Sequence, residues 1–74
     1  MVQLNKYIEI DPGKRFGKPI IKGTRISVYD VLLWLSNGLT REEIINDYPE
    51  LSIGMINACL SFAASREQGL LYVS

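Results

Sequence analysis

Five basic residues, Lys14, Arg15, Lys18, Lys22 and Arg25, fall within twelve positions with no acid among them. Cations at that density suit a sugar-phosphate backbone, because each lysine or arginine that neutralises a phosphate releases a condensed counterion. The plainer reading of the run is a flexible cationic loop. A second candidate is Asn57, on a stripe of Gly54, Asn57, Ser61 and Ser65 that recurs at helical spacing and carries no charge. Asparagine can pair with an adenine edge in the major groove, so Asn57 is the base reader if this helix enters a groove, and a solvent-facing residue if it does not. A recognition helix normally offers more Arg, Lys, Asn or Gln than this. Any DNA contact is therefore expected to run through the basic segment more than through the helix.

Enzymatic chemistry has little to stand on. The chain contains no histidine, so the commonest general base and metal ligand is missing. Cys59 falls on an apolar helical face with no base nearby, which suits a small core residue better than a nucleophile. Glu42, Glu43 and Asp47 share part of one helix, at a spacing that suits capping and solvation better than metal binding. The Gly-x-Pro and Gly-Thr-Arg stretches lack the lysine and serine or threonine at a helix start that mark a phosphate-binding loop. No catalytic residue, metal or cofactor is expected.

A chain of 74 residues is one domain. So small a domain buries only about 60% of the surface its unfolded chain exposes. A hydrophobic content of 47% is high for that little interior, and part of it is expected to lie against another chain. The net charge is zero but unevenly spread. Residues 1–27 hold six cations against two acids, a net +4, and residues 28–74 hold two cations against six acids, a net −4. Opposite halves suggest two faces with different partners, or a solvated surface with chance clustering. One cysteine excludes an intrachain disulfide and fits a cytoplasmic setting. No signal peptide and no membrane-spanning run is visible.

Several elements must position these groups. Tyr7, Ile8 and Ile10 around Glu9 read as a short strand, Asp11-Pro12-Gly13 as a turn, and residues 19–22 as a second strand. The first helix is predicted at about 28–37, capped by Ser27 with Asp30 at the capping-box position and closed by Gly38. The second is predicted from residue 41 to about 48, with Thr40 and Glu43 as a capping box and Pro49 as its stop. The third is predicted to follow Ser52 and run to about residue 67, with Gly69 as its cap. Its apolar residues, Ile53, Met55, Ile56, Cys59, Leu60, Phe62, Ala63 and Ala64, occupy more than one side, as expected of a core helix that also meets another chain. The fold class is mainly α. A β-ribbon arm at 1–27 leads into a three-helix helix-turn-helix domain at 28–67, and an apolar tail follows at 68–74.

The segment Gly17-Lys18-Pro19-Ile20-Ile21-Lys22-Gly23-Thr24-Arg25-Ile26-Ser27-Val28, followed by Leu32, Leu35, Gly38, Thr40, Ile44 and Tyr48-Pro49-Glu50-Leu51, closely resembles the "domain of unknown function 433" family over about residues 5–65. The resemblance implies a small cytoplasmic protein with a homeodomain-like or winged-helix-like helix-turn-helix. Some members resemble VapB-type antitoxins paired with a PIN-like ribonuclease toxin. The function expected is thus a non-enzymatic interaction and DNA-binding module, the antitoxin of such a pair. A stand-alone helix-turn-helix transcription regulator and a purely structural dimerisation module are the alternatives. A homodimer is expected, with no small-molecule substrate. Lys14, Arg15, Lys18, Lys22, Arg25 and Asn57 are the candidate DNA contacts. Leu70, Leu71, Tyr72 and Val73 are the candidate contacts to a nuclease, or the completion of the protein's own core or dimer.

Overall fold

A computed structural model describes the backbone of residues 2–73 and the side chains of residues 4–66. Three short strands and three helices follow one another along the chain: β1 (Val2–Gln3), β2 (Ile8–Ile10), β3 (Pro19–Ile21), α1 (Val28–Ser36), α2 (Arg41–Asp47) and α3 (Ile53–Val73). The protein is mainly helical, with a small antiparallel sheet at its N-terminal end. Two strands were expected and three are present, in the order β1-β2-β3. The extra strand pairs Val2 with Ile10 and Gln3 with Glu9. Asn5 makes the connection, its Oδ1 accepting from the amides of Tyr7 at 2.8 Å and Ile8 at 2.9 Å.

The Gly-Thr-Arg turn has a physical explanation at each position. Gly23 sits at φ +81, where an L side chain is strained. The Thr24 hydroxyl donates to the Ile21 carbonyl at 2.8 Å and accepts from the Ile26 amide at 3.0 Å, so one side chain closes the turn. The Ile21 amide donates to the Ile26 carbonyl at 2.9 Å, and Ile20 bridges to Ser27. The returning chain thus covers the outer edge of β3 and delivers Ser27 to the start of α1.

Both expected capping boxes are formed. Ser27 Oγ accepts from the Asp30 amide at 3.0 Å while Asp30 Oδ2 accepts from the Ser27 amide at 3.1 Å. Thr40 and Glu43 do the same at 3.1 and 2.9 Å. These pairs satisfy helix-end amides that would otherwise have no partner. Ser52 caps α3 by accepting from the Met55 amide at 3.2 Å. The third helix does not end near residue 67. It runs through Gly69 to Val73. A glycine inside a helix costs only about 1 kcal/mol relative to alanine, and the leucines that follow it favour helix, so Gly69 does not act as a stop.

The core joins the sheet to all three helices. Ile8, Ile21, Ile26, Val28, Val31, Ile44, Leu51, Ile56 and Cys59 form one buried cluster. Met55, Ala58 and Phe62 of α3 pack against it, as do Leu32, Trp34 and Leu35 of α1. Trp34 stacks on Tyr48 with ring centroids 4.6 Å apart and planes 12° from parallel, tying α1 to the turn between α2 and α3. Gly54, Asn57, Ser61 and Ser65 are all exposed, as the outward stripe requires, and Gly54 also lies beside Tyr7: a Cβ there would lie 3.3 Å from the tyrosine oxygen.

Candidate nucleic-acid interface

The basic residues cluster on the loop of the β2–β3 hairpin, residues 11–18, and on the turn after β3. The loop is built from consecutive tight turns. Asp11 Oδ1 accepts from the Gly13 amide at 3.0 Å, and the Asp11 carbonyl accepts from the Lys14 amide at 2.9 Å. The carbonyls of Lys14 and Arg15 then accept from the amides of Gly17 and Lys18, both at 3.1 Å. Arg15, Phe16 and Gly17 all have positive φ, at 50, 58 and 78°. For the two non-glycine residues that is an uncommon and strained backbone.

One side chain fixes this loop to the rest of the protein. Arg15 Nη1 donates to Asp30 Oδ2 at 2.7 Å and to the Arg25 carbonyl at 2.9 Å, and Nη2 donates to Asp30 Oδ1 at 3.5 Å. The Asp30 carboxylate that completes the α1 capping box also receives the arginine. Partial burial pushes the Asp30 carboxyl up. The hydrogen bonds from Arg15 and Ser27, with the arginine's charge, outweigh that and hold it below the ordinary carboxylate value. The hydrogen bond and charge of Asp30 raise Arg15 in turn, so the arginine is a cation throughout.

The candidate DNA contacts therefore separate. Lys18, Lys22 and Arg25 are exposed, and Lys14 is half-buried. Arg15 was expected among the phosphate contacts, but its guanidinium is engaged twice within the chain and serves as the clamp of the loop. Asn57 is exposed and not free: its Oδ1 accepts from Arg41 Nε at 2.9 Å. That pair joins the first residue of α2 to the exposed side of α3. Leu70, Leu71, Tyr72 and Val73 lie in the α3 backbone, and their side chains lie outside the described residues.

Two residues of this surface were not singled out from the sequence. Phe16 is 99% exposed at the loop tip. Its position between cations and beside a glycine was the available signal. Arg41 follows the Thr40 cap, and nothing in the sequence reveals that it reaches across to Asn57. Cys59 is buried, and burial pushes its thiol up to about 11. Among the described residues, no three His, Cys, Asp or Glu side chains are grouped to hold a metal ion. Nor, among them, is any helix long and apolar enough to cross a membrane.

Residues 8–63 match the family model described as "Protein of unknown function (DUF433)". No curated protein matches the chain. The fold is similar to the crystal structure of a DUF433 member protein from Anabaena variabilis, with a TM-score of 0.80 and 26% identity. The match covers 89% of this chain and 65% of that one, so this chain spans less than two thirds of its neighbour's length.

Proposed function

This chain belongs to the DUF433 family, and from that premise we propose that it is a non-enzymatic DNA- and protein-binding module, the antitoxin of a pair in which the toxin is a PIN-like ribonuclease. The observation that carries the DNA half is the clamped hairpin loop. The 2.7 Å contact of Arg15 with Asp30 fixes the backbone from which Lys14, Lys18 and Arg25 project. Cations held in place lose less freedom on meeting phosphates than cations on a loose loop. The succession α2, turn, α3 supports a helix-turn-helix reading, with the Arg41–Asn57 pair on its exposed side. Asn57 can read a base edge once Arg41 turns to a phosphate.

The protein half rests on α3. Leu60 and Ala63 are half-buried and stand outside the core cluster, leaving apolar surface for a second copy. The acidic stretch from residue 28 onward gives a partner with a basic RNA-binding surface something to meet. Residues 70–73 are the proposed apolar anchors. The setting in this reading is the cytoplasm. A stand-alone helix-turn-helix transcription regulator that needs no toxin is the second reading; it rests on the same succession of α2, turn and α3 and on the exposed cations alone.

Sequencing the flanking genes for a PIN-like nuclease, and co-expressing the chain with one found there, tests the proposal. Co-purification, rescue of growth and loss of both on deleting residues 69–74 are expected. If no nuclease co-purifies with the full-length chain, the antitoxin reading falls. Gel shifts on flanking DNA then decide the regulator.

A further inference from the structure

We propose that Phe16 is a DNA wedge: the tip of the β2–β3 hairpin enters a duplex groove, and the Phe16 ring presses between two base pairs and bends the helix. This rests on the DNA-binding reading above and deepens it.

Phe16 contributes nothing visible to folding. It is 99% exposed, and it adopts a left-handed backbone that a bulky residue resists. Arg15 beside it is also left-handed and is held there by Asp30 and the Arg25 carbonyl. Strain kept in place by surrounding contacts, with the strained side chain pointing to solvent, is the pattern of a presented functional group.

Charge identifies what it is presented to. Lys14 and Lys18 flank the ring at two residues on either side, and Arg25 is joined to the loop through its own carbonyl. Of the nearby acids, Asp30 is paired with Arg15, while Asp11 keeps its charge at the base of the loop, one oxygen accepting from the Gly13 amide. A ring with a cation two residues away on either side matches a partner with flat apolar faces between two rails of phosphate. Minor-groove proteins insert phenylalanine and similar residues in this way, with lysine and arginine on the backbone beside the wedge. Single-strand binders instead line up several aromatics along a groove, and here one ring stands at a hairpin tip.

A second copy of this chain is a poor occupant. The apolar recess beside the loop, a cavity of about 240 Å³ lined by Pro19, Val28, Leu32 and Phe62, is rimmed by Lys18 and Arg66. Another protomer's loop would bring its own Lys14 and Lys18 against those cations.

The test uses the full chain and a duplex of about 30 base pairs with a central TA step, a flexible step that kinks readily. Its ends carry a fluorescence donor and acceptor. The wild type is expected to raise energy transfer on binding. Phe16→Ala is expected to leave transfer at the free-duplex level and to weaken affinity about tenfold. The salt slope stays unchanged, because no charge is lost. Phe16→Trp is expected to keep the bend. Lys14→Gln/Lys18→Gln is expected to reduce the salt slope by about 2. Circular dichroism confirms that each variant folds. If the wild type does not bind the duplex at about 50 mM salt, the DNA-binding reading falls and the wedge with it. If it binds and Phe16→Ala binds and bends equally, the wedge alone is overturned. If Phe16→Ala bends DNA normally but loses the nuclease, Phe16 is a protein anchor and the wedge is also overturned.

Discussion

Arg15 and Asp30 are fifteen residues apart in sequence and 2.7 Å apart in space, and the carboxylate between them serves two structures at once. It closes the capping box of α1 through the Ser27 amide and clamps the hairpin loop through the Arg15 guanidinium. Because its folded pKa lies below the ordinary carboxylate value, Asp30 adds stability at neutral pH. That stability is retained above the unfolded value of about 3.9 and lost as pH falls through the lower, folded one. Thermal melts of wild type and Asp30→Asn should differ at pH 7 and converge as the solution is acidified below about pH 4. A gap that does not narrow would contradict this pairing.

The Ser27 side chain is buried and accepts the Asp30 amide, so Ser27→Ala should cost about 1 kcal/mol of stability. Chemical denaturation measures it. The same substitution is expected to loosen the Arg15 clamp, visible as faster hydrogen exchange at the Gly17 and Lys18 amides.

Phe16→Gly relieves a left-handed backbone that costs an ordinary residue about 1–2 kcal/mol. Part of the gain is offset by the greater freedom of glycine in the unfolded chain. A net stabilisation of about 0.5–1 kcal/mol is expected, read from denaturation midpoints. The variant should be more stable and poorer at bending DNA, a trade expected where strain serves a site.

Cys59 should be inert in the native protein. Its thiol is buried and raised to about 11, so almost no thiolate exists at pH 8. A chromogenic disulfide reagent is expected to react only after denaturant is added, and prompt reaction of the folded protein would show that the helix α3 packing is looser than described.

Leu60→Glu places a charge on the part of α3 that stands outside the core cluster. Light scattering should show a dimer for the wild type and a folded monomer for the variant. A variant that stays dimeric moves the interface elsewhere.

Much of this architecture was legible because its signals are local. Ser27 with Asp30, Thr40 with Glu43, and Gly38 at φ +96 each act within one helical turn; the starts of α1 and α2 and the end of α1 follow from them, and Ser52 marks the start of α3 in the same way. The two hairpin strands were legible from β-branched residues and from Pro19. What was not legible depends on distance or on weak competition. The two-residue β1 exists only because Ile10 and Glu9 pair with it. Gly69 reads as a cap because glycine so often ends helices, yet its cost is too small to stop this one. The same limit applies to the site. The cations were visible as a run, but the sequence could not say that Arg15 is spent on Asp30 or that Arg41 occupies Asn57.

Among the described residues, the closest packing joins mainly elements adjacent along the chain: β1 with β2, β2 with β3, β3 with α1, and α2 with α3, the packing of α1 on α3 being the longer reach. Little loop-closure entropy must therefore be overcome before each contact forms. A topology this local places folding at the fast end for domains of this size, on the microsecond-to-millisecond scale. Synthesis then sets the pace: most elements have the neighbour they pack against at hand as soon as that neighbour has been made.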